Sequence, residues 1–341
     1  MFEGLKAPEI DVAGWLNSPP LRLKDLRDRV VLLNIWDYTC INCIRSLPYL
    51  SEWHRRYHPL GLSLIGVHCP EFDFARDSRN VERAARRFGL DYAIALDNDF
   101  RVWNAYANRY WPRQFLIDRR GVVRYDHIGE GAWRQSELKI QELLAEIYPA
   151  VSVPKPVEPE GRERAICYPV TAELYAGYQR GRLGSPEGYR PNQVVDYREV
   201  DRCVDGFLYL RGRWLNLAQC LQHAGSGSGR DWIGLRYHAV SVNAVISTVG
   251  WPSMPLEVEV KQDGRYLDAE IAGEDVLVER GRSFLLVEEP RMYRLVRNPD
   301  FGYHILQLFA ASELFRLHAF TFGGRQAALE ERRAVSLRSG G

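Results

Sequence analysis

The sequence predicts an α/β domain followed by an all-β antiparallel sandwich. Three observations carry this reading. From residue 29 to residue 150 short apolar runs alternate with amphipathic stretches. Prolines then crowd one segment, Pro149, Pro154, Pro156 and Pro159. Beyond it the runs are short and several alternate, with no convincing helix between residues 205 and 325. Strands alternating with helices imply a sheet covered on both faces. Many short strands punctuated by turns imply a sandwich. A length of 341 residues makes two domains the natural expectation.

In order, RVVLLNIW reads as a buried strand, and CIRSLPYLSEWHRRYH as a helix with Ile44, Leu47, Leu50 and Trp53 on one face. LSLIGVHC is a second buried strand. RNVERAARRFGL is an amphipathic helix closed by Gly89. YAIALD is a third strand, FRVWNAYA a helix, RQFLIDRRGVVRYDHIG a hairpin turning near Gly121, and SELKIQELLAEIY the closing helix. The domains expected are residues 1–150, a proline-rich linker over 151–165 in an extended semi-rigid form, a sandwich over 166–325 and a polar tail over 326–341. Asp263-Gly264 marks a hairpin within the sandwich, and GSGSG at 225–229 a flexible loop.

Composition excludes several classes. The formal net charge is +1, so bulk electrostatics draws the chain to neither nucleic acid nor membrane. No apolar run approaches the roughly 20 residues that span a bilayer. MFEGLKAPEI has neither a basic nor an apolar leader region, which taken literally reads as cytoplasmic. A soluble piece of a larger extracytoplasmic protein would look the same.

Among six cysteines, only Cys40 and Cys43 stand close. Cys40 follows a strand and opens a helix, where unpaired N–H groups and the helix dipole favour a thiolate. The CxxC spacing brings the second thiol within one turn of the first, so Cys40 can attack a disulfide and Cys43 resolve it. Zinc is a rival, because Cys40, Cys43, His54 and His58 mimic finger spacing. However, eleven helical residues put Cys43 and His54 roughly 16 Å apart, too far for one ion. Two buried structural thiols are the bland alternative. Pro48 should kink the helix away from the pair. A cis Trp111–Pro112 bond would set a backbone edge beside the cysteines.

The strings APEI, GWLNSPPLRLKDLRDRVVLLNIW, CINC, LPYL, GVHCPEF, NRYWPRQFLID and GEG resemble the TlpA/DipZ-like branch of the thioredoxin superfamily. TAELYAGYQRG, GRW at 212–214 and FTFGG extend the resemblance into the second domain, which is similar to carbohydrate-binding modules. The resemblance implies a thioredoxin fold with Cys40 as nucleophile, Cys43 as resolving thiol, and Pro112 as the cis-proline. Trp36 and Trp111, beside these motifs, are the substrate-binding candidates. It implies no cofactor beyond a redox-active Cys40–Cys43 disulfide, protein disulfide or dithiol substrates, and an electron-donor redox protein.

Two departures from the pattern matter. The titratable Asp that thioredoxins carry two residues before the strand's Trp is here Asn34. Asp37 lies three residues ahead of Cys40, where its charge would raise the thiol pKa. Glu71 is the candidate replacement base, with an exposed acid as the plainer alternative. Cys69 is either a third redox thiol or a structural one. Ile41 and Asn42 match neither the Gly-Pro of reducing thioredoxins nor the Pro-His of strong oxidants, so the direction of electron flow stays open.

For the second domain, Tyr178, Tyr189, Trp214, Trp232 and Trp251 could stack on a carbohydrate, or simply pack. The activity expected is thiol–disulfide exchange. The alternatives are a thiol peroxidase, against which NIWDYT lacks the proline of a Pro-x-x-x-Thr-x-x-Cys frame, and a carbohydrate-binding or scaffold protein with a vestigial redox domain.

Overall fold

A computed structural model describes residues 3–150, 152–157, 166–225 and 231–326. The chain divides into two compact units, Met1–Pro159 and Glu160–Gly341. The first unit contains β1 (Gly14–Leu16), β2 (Val30–Trp36), α1 (Ile41–Tyr57), β3 (Leu62–His68) and α2 (Ser78–Arg87). After these come β4 (Ala93–Leu96), α3 (Arg101–Ala105), β5 (Arg113–Ile117), β6 (Val123–Ile128) and α4 (Trp133–Ile147). The six strands form one sheet in the order β1-β4-β3-β2-β5-β6. β2, β3 and β4 run parallel, and the remaining pairs are antiparallel.

Every residue of VVLLNIW is buried, as a strand covered on both faces requires. Val30, Leu32 and Trp36 pack with Leu47, Leu50 and Trp53 of α1 and Ile140 and Leu144 of α4. Val31, Leu33 and Ile35 face the opposite layer, with Val102 and Tyr106. The helices and the hairpin fall where the apolar periodicity places them. Gly89 closes α2 with φ +64°, and Gly121 turns the β5–β6 hairpin with φ +79°. The three-residue β1 escapes the sequence reading because it is too short to show a period.

The expected linker begins as part of this unit. Gln141 Nε2 donates to the Pro154 carbonyl and Arg56 Nη1 to that of Lys155, both at 2.8–2.9 Å. The Val157 N–H donates to Glu137 Oε2 at 2.7 Å. Glu137 is itself fully buried and accepts from the Tyr57 hydroxyl at 2.7 Å. Residues 152–157 are therefore anchored to α1 and α4, which corrects the reading of the whole segment as a spacer. Residues 158–165, most of the GSGSG loop and the tail beyond Gln326 lie outside the described residues.

The second unit contains no helix among the described residues, and eleven of its strands join one antiparallel sheet. Two strands dominate it, Trp232–Thr248 and Arg291–Ala310. They gather Trp214, Tyr237, Val260, Leu285, Leu308 and Phe320 into one core, as the packed layers of a sandwich do. YRLV and YHILQLF look separate in sequence because Asn298–Phe301 interrupt the alternation. In the structure these four residues bulge out of register with the neighbouring strand, since Arg297 pairs with Ser241 and Gly302 with Ala239. Pro299 falls inside that bulge, where a missing N–H costs the ladder nothing. Asp263 and Gly264 both have positive φ, 52° and 77°, as a two-residue type I′ hairpin demands.

His318 lies in this core, its Nε2 2.7 Å from Ser247 Oγ. Burial, with Arg316 and Arg180 nearby, holds its imidazole neutral down to about pH 3. Unfolded, the ring takes a proton near its ordinary value of about 6.5. As pH falls below that value the unfolded chain binds a proton that the fold refuses, so stability is lost on acidification. His318→Gln should remove about 1.4 kcal/mol per pH unit from that slope between pH 6 and 4. Urea unfolding curves across this range measure it, and an unchanged slope would show that His318 does not titrate differently on folding.

Candidate active site

β2 ends at Trp36, and the chain turns through Asp37–Thr39 into α1. The turn is made by Asp37, whose Oδ1 accepts the Thr39 N–H at 2.6 Å and also the Thr39 hydroxyl. An Asp bonding the backbone two residues on is the usual way such a turn is closed. Cys40 then serves as the N-cap of α1, with extended φ and ψ of −80° and 116°. Its sulfur accepts the Cys43 N–H at 3.3 Å, in the place a Ser or Asp oxygen would occupy. α1 continues through Pro48, which lies on its exposed side.

Cys40 and Cys43 are both unbridged, and they differ in access. Cys40 is half-buried and reaches the surface, whereas Cys43 is 1% exposed. Burial pushes the Cys43 thiol well above its ordinary pKa, and the adjacent Cys40 and the Asp37 charge push the same way. A hydrogen bond from the Asp37 backbone opposes them.

Trp111–Pro112 is the one cis peptide bond among the described residues. Ile35 pairs with Arg113, so Pro112 lies level with Trp36 at the end of β2 from which the cysteine turn departs. Behind Pro112, Arg113 forms a two-pronged ion pair with Asp126, Nε to Oδ1 at 2.8 Å and Nη2 to Oδ2 at 2.5 Å. Trp111 is half-buried, packs against Trp103 at 4.3 Å between centroids, and donates its indole N–H to the Cys69 carbonyl.

One sequence expectation needs correction. Trp36 cannot bind a substrate, because it is fully buried under α1 with its ring edge-on to His68 at 5.5 Å. The Glu71 N–H donates to Asp37 Oδ2 at 2.9 Å. The carboxylate whose charge acts on Cys43 belongs to Asp37. Asp37 is fully buried, and desolvation raises its pKa against the hydrogen bonds from Thr39 and Glu71. His68 Nε2 lies 3.5 Å from Asp37 Oδ2, and burial holds that imidazole neutral, down to about 3.

Cys69 is fully buried and its sulfur donates to Asp97 Oδ2 at 3.4 Å. Burial and that carboxylate raise its thiol far above the ordinary value, as in an inert structural cysteine. Asn34 is 1% exposed and paired in register with Gln114. In the second unit Trp214 and Trp232 are buried, and the Tyr189 hydroxyl is turned inward to the Ala176 carbonyl. Of the five aromatics that could either stack on a sugar or simply pack, Trp251 is exposed, at 47%, and Tyr178 is half-buried.

Fold and site together define a thioredoxin-like protein with an accessible N-cap cysteine and a buried partner. The AhpC/TSA family matches residues 4–126, and the thioredoxin-like C-terminal domain family matches residues 171–323. Protein DipZ of Mycobacterium bovis is 36% identical over 275 residues, covering 78% of this chain and 38% of that protein. Thiol-disulfide oxidoreductase ResA of Geobacillus thermodenitrificans is 36% identical over 121 residues, covering 36% of this chain and 66% of that one. ResA of Bacillus thuringiensis is 30% identical over 140 residues, covering 41% of this chain and 78% of its own length. The chain belongs to the thiol-disulfide oxidoreductase family of ResA. It spans about two fifths of the DipZ proteins it matches. Among the described residues no helix is long and apolar enough to cross a membrane.

Proposed function

We propose that the first unit exchanges disulfides with protein partners through Cys40 and Cys43. The observation that carries this reading is the asymmetry of the pair: one sulfur open at a helix start, the other buried a single turn behind it. Cys40 meets the partner because only it is accessible, and a mixed disulfide forms as the partner's own S–S bond breaks. Cys43 then attacks Cys40 Sγ, and the partner leaves as a thiolate. The backbone beside Pro112, at the same end of the sheet, is where an extended partner chain would lie. Trp111 at the rim offers it apolar surface.

Equilibration in graded glutathione buffers, with alkylated thiols counted by mass spectrometry, tests this. Both cysteines should lose their thiols together in one reversible two-electron transition. A midpoint near about −270 mV would mark a reductant and one near about −120 mV an oxidant. A pair that forms no disulfide at any potential would overturn the proposal. Peroxide-dependent turnover, with no disulfide exchange, would move the activity to the thiol peroxidases.

A further inference from the structure

Exposed apolar side chains of the second unit gather on one outer patch of its large sheet. Ile305 pairs in register with Arg236, and Tyr303 with His238, so these four side chains share one face. Leu208 pairs with Leu235, which sets Phe207 beside Arg236 on the next strand. Tyr303 is 62% exposed, Ile305 39% and Phe207 38%. Single exposed apolar residues are ordinary, but adjacent ones across three neighbouring strands mark a contact surface.

The patch is held rigid from within. Tyr237, Gln262 and Asn298 close a buried ring of hydrogen bonds. The Tyr237 hydroxyl donates to Gln262 Oε1 at 2.6 Å, Gln262 Nε2 to Asn298 Oδ1 at 2.9 Å, and Asn298 Nδ2 back to the hydroxyl at 3.0 Å. This ring pins the bulge that presents Phe301, which stacks on Tyr168 at 4.5 Å and meets His238 edge-on at 5.9 Å. His238 is fixed as well. Its Nδ1 donates to Asp205 Oδ2 at 2.5 Å. The Thr171 hydroxyl donates to Asp205 Oδ1 at 2.8 Å and accepts the His238 backbone N–H at 2.9 Å. Nε2 is left as the ring's free nitrogen, an acceptor in the neutral imidazole. Arg236 lies over the Tyr303 ring, 5.4 Å from its centroid, and has no carboxylate partner among the described residues. Asp205 bridges to Arg236 along the backbone, but both its oxygens are taken by His238 and Thr171.

We propose that this patch is a docking surface for a protein partner, and that the segment it receives carries a carboxylate flanked by apolar side chains. Three features choose that occupant. The Arg236 guanidinium calls for an anion, and a carboxylate is the one a polypeptide supplies. Ile305 and Phe207 offer surface that apolar side chains cover and that a hydroxyl-rich sugar would not. His238 Nε2 accepts an N–H or O–H from the same segment. A tyrosine and an arginine side by side at the centre of such a patch are the residue types that carry most of the energy in protein interfaces. Because the bulge and the imidazole are already fixed, docking orders little on this side. The surface goes beyond the exchange reaction and includes no cysteine.

A random-peptide phage library panned on the immobilised full chain, with Tyr303→Ala as the counter-selection, tests this. Enriched peptides should set Asp or Glu beside aliphatic or aromatic residues. Their synthetic copies should bind Tyr303→Ala and Arg236→Ala at least about tenfold more weakly than the unaltered chain. Arg236→Lys, which keeps the charge, should recover part of that loss, and added salt should weaken binding. Trp251→Ala, beyond the far end of the strand that carries Arg236, should bind as the unaltered chain does. An unchanged circular dichroism spectrum of each variant shows that the fold has survived.

A library that enriches no acidic peptide, or enriches basic ones, overturns the proposal. So do peptides that bind Tyr303→Ala as tightly as the unaltered chain. Tetragalacturonate or cellotetraose bound by the unaltered chain but not by Tyr303→Ala, with no peptide enriched, would make the patch a sugar platform and overturn it too. The redox titration of Cys40 and Cys43 should be the same in Tyr303→Ala, so failure of the exchange reading and failure of this surface are told apart.

Discussion

Cys40→Ser is expected to abolish reduction of a disulfide-bonded client, while Cys43→Ser should leave the first attack intact and accumulate a covalent complex. The two outcomes differ because the sulfurs occupy different surroundings. Cys40 is the only one of the pair a client can touch, and hydroxyl is no substitute for thiolate as the attacking species. Loss of Cys43 removes only the internal displacement, so the mixed disulfide persists until an external thiol clears it. Non-reducing gels and intact-mass spectrometry read both. Equal activity in Cys40→Ser and the unaltered chain would assign the chemistry to another thiol. Release of client by Cys43→Ser at the normal rate would remove its resolving role.

The largest expected effect on stability comes from Asp126→Ala, a loss of about 3–5 kcal/mol. The Arg113 and Asp126 side chains are 7% and 8% exposed, and the guanidinium also contacts the Ala107 carbonyl and lies over the Phe115 ring. Deleting the carboxylate leaves a buried cation whose partner cannot be replaced by water. Because Arg113 directly follows Pro112, the damage should also reach the backbone edge proposed to hold a partner chain. Removing both charges with Arg113→Met and Asp126→Leu should recover most of the loss. Urea unfolding measures all three chains, and a single-variant cost under about 1 kcal/mol would mean that solvent already screens the pair.

Much of the first unit was legible because its elements are long and strongly periodic. VVLLNIW and LSLIGVH are uninterrupted apolar runs, and the spacing of Ile44, Leu47, Leu50 and Trp53 leaves little choice but a helix. The dicysteine was equally legible, since its strand and helix flank it directly. The inward placement of Trp36 was not: alternation along a strand buried on both faces cannot say which side a tryptophan joins. Nor was the burial of Asp37. Sequence shows a carboxylate three residues from Cys40, but not that the turn folds it inward beneath Thr39 and Glu71. The Asp-x-Thr pattern is the signal that could have revealed that turn. In the second unit the strands were visible individually. Their fusion across the Asn298–Phe301 bulge depends on pairing with a distant strand, which local pattern does not encode.

The anchored segment 152–157 decides where the first unit can be separated from the rest. A fragment ending at Ala150 would strip the Val157 N–H from Glu137 and the carbonyl acceptors from Gln141 and Arg56. One oxygen of a fully buried carboxylate would then be stranded between two helices, a defect worth about 1–3 kcal/mol. Prolonging the fragment to Pro159 retains all three bonds. The longer fragment is therefore the one to express for redox work on the isolated unit, and poor solubility of the shorter one would say nothing about its cysteines.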